Sequence, residues 1–283
     1  MNLGDFIRGS CKALASVYPE REARNIVLWL CSEELGVKDY AYITEPDMEI
    51  PEDKLDVLKE KMDRLMLSEP IQYVLGKAEF CSRAFKVNSS VLIPRPETEQ
   101  MAMDVVALAK TLGGSPRVLD LCTGSGCIAW TVKKEVPEAE VTAVDISWEA
   151  LDVARAQFDG PSPDFVLGDV LDVEKDFGRG EFDIIVSNPP YIMEREKAQM
   201  RKNVLDYEPG LALFVPDTDP LKFYRAVASW ARKYLKPSGV GFVEINEQLG
   251  DETGRVFRDA GFPDVNQSRD LFNKIRYISF KKH

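Results

Sequence analysis

The chain has 283 residues, enough for one large or two unequal domains, and its 45% hydrophobic and 29% charged content is that of a globular protein. Its net charge of −11, from 36 basic and 47 acidic residues, argues against a duplex-DNA binder, which carries a basic face. The five cysteines (Cys11, Cys31, Cys81, Cys122 and Cys127) include no C-x-x-C pair, so no disulfide framework or zinc site is expected and a reducing cytoplasm fits best; the one histidine is His283, at the chain end, which nearly excludes Ser-His-Asp and H-E-x-x-H chemistry.

The opening stretch "MNLGDFIRGSCKALASVYPE" carries charges throughout and lacks a long apolar core. It reads as an amphipathic helix and not as a signal peptide. No apolar run approaches membrane-spanning length, so no membrane partner is expected. In "REARNIVLWLCSEEL", Ile26 and Leu30 stand one turn apart, as do Trp29 and Glu33. In "PEDKLDVLKEKMDRLML", Pro51 marks a helix start, and Leu55, Leu58, Met62 and Leu65 follow at spacings of three and four. Residues 1–75 are therefore expected to form a small helical domain. Residues 76–95 break this pattern and are expected to be a linker in which "AEFCSRAFKVN" forms a hairpin. In "IPRPETE", Pro96 and the acids after it suit a first helical turn, and Gly113-Gly114 ends that helix. Arg95 and Glu97 either line a cleft mouth or only cap the helix.

From Ser115 strands and helices alternate, which predicts a mostly parallel sheet covered on both faces over 96–283. The strand candidates are "RVLDL", "EVTAVD", "DFVLGD", "FDIIVSN", "GVGFVEI", "DVNQSRD" and "KIRYISF". The short link between the last two suggests an antiparallel edge hairpin. "RKYLKPSG" reads as a solvated helix end before a turn, and "FKKH" as a charged tail.

"RVLDLCTGSGCIAW" is a strand, a glycine loop and a helix start. Gly124 and Gly126 let the backbone turn sharply and approach a ligand. Alone this G-x-G-x-x-A spacing is a weak signal. Asp145 ends the next strand about twenty residues on, the place of a carboxylate that grips ribose hydroxyls. Asp120, Asp145 and Asp169 are read as acids ending three successive strands, which favours a nucleoside site. The loop holds no Lys or Arg between Asp120 and Lys133, so a sulfonium suits it better than a pyrophosphate.

The fourth strand runs into "SNPPY". Asn188 offers a side-chain carbonyl, and Pro189 and Pro190 leave backbone acceptors without N–H groups beside them. Tyr191 adds an aromatic face. Two acceptors, the Asn188 side-chain oxygen and the Pro189 carbonyl, can hold the two hydrogens of an NH2 group and aim its lone pair at a methyl donor. The motif by itself does not say which amine or amide is held.

"LDLCTGSGCIA", "AVDIS" and "SNPPY" together resemble the Rossmann-like class I S-adenosylmethionine methyltransferases of the amino type. "EPIQYVLGKAEF", "LIPRPETE", "YEPGLAL" and "RDLFNKIRYI" narrow the resemblance to the HemK/PrmC family, the glutamine-N5 methyltransferases of peptide chain release factors. It covers nearly the whole chain. It implies an α/β fold with a seven-stranded sheet, S-adenosylmethionine as cofactor, and the glutamine of a release factor's Gly-Gly-Gln loop as substrate. It implies that Cys122, Thr123, Gly124, Ser125 and Gly126 surround the methionine part, that Asp145 binds ribose, and that Asp169 and Val170 meet the adenine region. Asn188, Pro189, Pro190 and Tyr191 would hold the glutamine, with Asn188 also near the cofactor, and Asn188 and Pro189 as the catalytic acceptors. The N-terminal domain would dock the release factor. Cys122 departs from the pattern, since many relatives have glycine there. A glutamine methyltransferase of a ribosomal protein, an adenine-N6 DNA methyltransferase and a catalytically silent binding module are the competing readings.

Overall fold

The computed structural model describes residues 1–174, 180–270 and 272–282; His283 and one residue of the "RDLFNKIRYI" stretch lie outside that range. The chain forms two units, one comprising Met1–Lys77 with Arg201–Tyr207, the other Ala78–Met200 with Glu208–His283.

The first unit is built on apolar stripes. Helix α1 (Leu3–Leu14) begins at Asn2, whose side chain accepts the Asp5 N–H at 2.8 Å. Helix α2 (Glu20–Leu35) stops at Gly36, which takes the left-handed conformation at φ 67°. Short helices α3 (Ala41–Thr44) and α5 (Ile71–Leu75) flank α4 (Glu52–Met66). The predicted α4 stripe is buried at Leu58, Met62 and Leu65, in one cluster with Leu3, Leu14, Val27 and Leu30. Trp29 donates to Glu33 at 3.2 Å. Residues 201–207 join this unit instead of the sheet that surrounds them in sequence. Arg201 reaches both oxygens of Glu22 at 2.6 and 2.8 Å, and the Tyr207 hydroxyl donates to the Leu67 carbonyl at 2.8 Å.

The second unit starts at Ala78, within the hairpin of β1 (Lys77–Phe80) and β2 (Arg83–Lys86). Its two turn residues, Cys81 and Ser82, both have positive φ (48° and 58°), as a two-residue hairpin turn requires. Helix α6 (Pro96–Leu112) has its proline at the first helical position and ends at Gly113. Then follow β3 (Arg117–Leu121), α7 (Cys127–Glu135), β4 (Glu140–Asp145), α8 (Trp148–Arg155), β5 (Asp164–Leu167) and β6 (Phe182–Ser187). Strand β7 (Ile192–Met193), helices α9 (Lys202–Leu205) and α10 (Gly210–Leu213) and strand β8 (Phe214–Val215) follow β6, and β7 and β8 pair with each other. Helix α11 (Lys222–Tyr234), β9 (Leu235–Glu244), α12 (Gly250–Asp259), β10 (Asp264–Arg269) and β11 (Ile275–Lys281) complete the chain.

The seven-stranded sheet has the order β10-β11-β9-β6-β3-β4-β5. It is parallel from β9 to β5, and β11 and β10 close one edge antiparallel. Residues alternate between faces. Leu119, Leu121, Ile185 and Val243 meet Tyr224, Trp230 and Phe257 on the α11 and α12 side. Val118, Ile184, Val186 and Phe242 meet Met101, Val105 and Trp130 on the α6 and α7 side. Burial on both faces is why these strands read as apolar runs.

One local expectation needs correction. The helix end in "RKYLKPSG" is where it was expected, with the exposed Arg232 and Lys233 in the last turn of α11, but no free turn follows it. Strand β9 already begins at Leu235, opposite Phe182, and the register then jumps so that Val240 faces Ile184. The extra residues form a bulge, anchored where the Lys236 ammonium meets Asp183 Oδ1 at 2.8 Å.

The register sets the site. Ser187 pairs with Leu121 on one side and Val243 on the other, and Leu121 pairs with Val144. The residues that follow, Asp145, Cys122, Asn188 and Glu244, therefore form one row across β4, β3, β6 and β9 at the carboxyl ends of the strands. Strand order reverses between β3 and β6, where open α/β sheets bind ligands.

Gly241 pairs with Phe280, and a Cβ there would overlap the fully buried Phe280 ring. Gly241→Ala is expected to lower stability by about 1–3 kcal/mol in urea unfolding; an unchanged midpoint would contradict this packing.

Candidate active site

The loop from β3 to α7 alternates left-handed residues: Cys122 at φ 61°, Gly124 at 55° and Gly126 at 76°. Thr123 N–H bonds the Val144 carbonyl at 3.0 Å, and Gly126 N–H closes back on the Thr123 carbonyl at 2.9 Å. The two glycines answer different demands. A Cβ on Gly126 would press Ala154 at 3.1 Å and Trp130 at 3.2 Å, whereas one on Gly124 would meet nothing within 4 Å. Gly124 thus opens onto the cleft that it lines.

Asp145 ties this loop to β4. Its Oδ2 accepts the Gly124 N–H at 2.8 Å and its Oδ1 accepts the Ser147 N–H at 2.9 Å. Burial raises its carboxyl, although these amides oppose the shift. Asp169 is turned by the Leu171 N–H at 2.8 Å, and the Val170 carbonyl accepts the Trp230 indole N–H at 2.8 Å. Asp120 departs from the expected trio of cleft acids. It lies within β3, fully buried, and is not a lining residue. The Thr123 hydroxyl donates to its Oδ2 at 2.6 Å, while Oδ1 has no partner among the described residues. Burial pushes this carboxyl up to about 7.

Of the residues predicted from the glycine loop and the neighbouring strand ends, Cys122, Thr123, Gly124, Ser125, Asp145, Asp169 and Val170 line one cleft, joined by Asn188 and Pro190. Gly126, Pro189 and Tyr191 are not among its lining. Gly126 packs behind the loop, and Pro189 is buried. The Tyr191 ring packs on the α11 side of the core, and its hydroxyl donates to Glu244 Oε1 at 3.0 Å.

Three residues escaped the sequence reading. Glu244, at 3% exposure, closes the row at the end of β9 and accepts the Thr98 hydroxyl at 2.6 Å. Thr98 in turn faces Asn188 Nδ2 at 3.5 Å. An acid at a strand end, as at Asp145, was the available signal for Glu244. Glu208, in "YEPGLAL", accepts from Arg95 at 2.6 Å and from the Ile93 N–H at 3.1 Å. Arg95 therefore lines the cleft and also ties the "IPRPETE" segment to "YEPGLAL", whose Pro209 lines the same cleft.

A glycine loop, a strand-end carboxylate and a strand-end amide converging on one cleft of a doubly wound sheet define a methyltransferase of the Rossmann-like class. The model described as Methyltransferase small domain matches residues 102–206, and that described as PrmC N-terminal domain matches residues 6–76. The chain is 41% identical to the release factor glutamine methyltransferase of Bacteroides thetaiotaomicron, over 95% of this chain and 96% of that one. It is 37% identical to the protein of the same name from Flavobacterium psychrophilum, over 94% of each chain. For the namesake in Lactococcus lactis subsp. lactis the identity is 39%, over 82% of this chain and 84% of the relative. The chain belongs to the release factor glutamine methyltransferase family.

Cys122 holds a left-handed backbone with a Cβ attached, a conformation that costs about 1–2 kcal/mol outside glycine. Burial and the Asp145, Asp120 and Asp169 carboxylates keep its thiol protonated. Both Cys122→Gly and Cys122→Ala remove the thiol, but only glycine relieves the backbone. Thermal unfolding is expected to show the glycine variant more stable than the alanine variant by about 1 kcal/mol; the reverse order would refute strain at this position.

Proposed function

We propose that this enzyme transfers a methyl group from S-adenosylmethionine to the side-chain amide nitrogen of the glutamine in the Gly-Gly-Gln loop of peptide chain release factors. The observation that carries the reading is the row in which Asn188 stands beside the glycine loop, between Cys122 and Glu244. The relatives' shared name supplies the substrate class.

The residues present fit the cofactor. The side of Gly124 where a Cβ would stand is open. Asp145 and Asp169 line the cleft as acceptors for hydroxyl groups, and Ile146, Val170 and Leu171 give apolar walls for a planar base. S-adenosylmethionine supplies an electrophilic methyl on a sulfonium sulfur. Asp145 keeps free lone pairs beside its two amide bonds, enough for ribose hydroxyls.

The protein's task is to ready a poor nucleophile. An amide nitrogen delocalises its lone pair into its carbonyl. Asn188 Oδ1 and the Pro189 carbonyl, which is bonded to the nitrogen of the cleft-lining Pro190 although the Pro189 ring is buried behind it, accept one hydrogen each, which favours a pyramidal nitrogen and aims its pair along the line of transfer. With S-adenosylmethionine bound, the C–S bond would break as the C–N bond forms, and the surplus amide proton would leave to water. No histidine takes part in this scheme.

Asn188→Ala is expected to lower kcat by about 100-fold while S-adenosylmethionine still binds. Near-normal methylation by that variant would sink the role of Asn188. For the substrate, purified release factors, ribosomal proteins and duplex DNA are incubated with labelled cofactor, followed by peptide mass mapping. A methyl group on the Gly-Gly-Gln glutamine is the expected result, and label confined to DNA or ribosomal protein would overturn the reading.

A further inference from the structure

We infer that Thr98 and Glu244 are positioning residues, a one-way hydrogen-bond chain that fixes which end of the Asn188 amide faces the substrate. The inference rests on the proposed role of Asn188 as acceptor for a substrate NH2 group.

An asparagine amide is almost symmetric in shape, yet its two ends are opposite in hydrogen-bonding sense. Flipped, Asn188 would set its own NH2 against the substrate NH2, donor against donor. Something must select the productive orientation. Glu244 does so from the next place in the row. A carboxylate only accepts. Its Oε2 takes the Thr98 hydrogen at 2.6 Å, and its Oε1 takes the Tyr191 hydrogen at 3.0 Å. Thr98 Oγ1 has then spent its one hydrogen and offers only lone pairs. It faces Asn188 Nδ2 at 3.5 Å, so that the end of the amide held there is the donor. Oδ1 has no hydrogen bond to any described residue and is left for the cleft, which Asn188 lines. Thr98 and Glu244 are 2% and 3% exposed, so water does not compete for these groups.

The direction of the chain depends on the charge of Glu244. Burial pushes its carboxyl up to about 7; the hydroxyls of Thr98 and Tyr191 oppose the shift, Glu97 on α6 adds to it, and Arg276 on β11 opposes it. Tyr224 on α11 also faces this carboxylate, with its own phenol raised chiefly by burial. Above that pH Glu244 is ionised and the chain runs one way. Below it the protonated carboxyl can donate to Thr98, Thr98 can donate to Asn188, and the amide orientation is no longer selected. Turnover therefore falls as pH drops through about 7, without a matching loss of cofactor binding.

The test uses the full chain, a purified release factor and S-adenosylmethionine, reading kcat against pH and cofactor Kd by calorimetry. Thr98→Val is expected to lower kcat about tenfold, to leave Kd within about twofold and to lose the acidic limb. Thr98→Ser, which restores the hydroxyl, is expected to regain kcat to within about threefold. A Thr98→Val enzyme with wild-type kcat, an equal loss in Kd, or a serine variant without rescue would each overturn the inference. Should Thr98→Val not fold, Glu244→Gln carries the test, because persistence of the same acidic limb without the titrating carboxyl is equally fatal. Wild-type enzyme that fails to methylate the release factor would instead count against the functional reading itself.

Discussion

The parallel register of β3 with its neighbours is the constraint from which the site follows. Leu121 faces Val144 and Ser187, and Ser187 faces Val243. One step further along each strand the chain leaves the apolar core, and four polar or reactive side chains emerge side by side. Side chains alternate across a sheet, so a slip of one residue would turn Asn188 or Glu244 to the opposite face. Burial on both faces resists such a slip, since it would exchange the partners of Ile184, Ile185 and Val186 on both sides of the sheet. The chemistry is thus held by hydrophobic packing some distance from it.

That arrangement has a thermodynamic cost at two buried acids. Asp120 and Glu244 are both shifted to about 7 by burial, against about 4 for exposed carboxyls. The folded state therefore holds these protons more tightly than the unfolded state does. Their contribution to stability falls as pH rises from about 4 to about 7, the reverse of a salt-bridged acid. The hydroxyls of Thr123, Thr98 and Tyr191 offset part of this cost. Groups kept at such a cost are common where orientation matters more than stability.

Much of the fold was legible in the sequence because its signals are local. Apolar runs capped by Asp145 or Asn188, the glycines at 124 and 126, the proline that opens α6 and the alternation of strands with helices each occupy a short window. The relations that complete the cleft are not local. Thr98 and Glu244 are 146 residues apart, and Arg95 and Glu208 are 113 apart. No periodicity encodes such pairs, and each residue alone has a bland reading as a helix-turn or strand-end group. Asp120 was misjudged for a related reason. Its position near a strand end was visible, but β3 runs on through Leu121, so Asp120 lies inside the buried strand and not in the loop that opens onto the cleft.

The division of the chain bears on how it is made. The helical unit takes its last piece, Arg201–Tyr207, from deep within the second half of the sequence. Arg201 meets Glu22, and Tyr207 meets the carbonyl of Leu67. The five N-terminal helices leave the ribosome first, yet their unit stays one piece short until translation has passed residue 207. By then β3, β4, β5 and β6 have also been synthesised. A protein whose N-terminal part comes first in sequence is therefore finished out of order, with both units reaching completion late in synthesis.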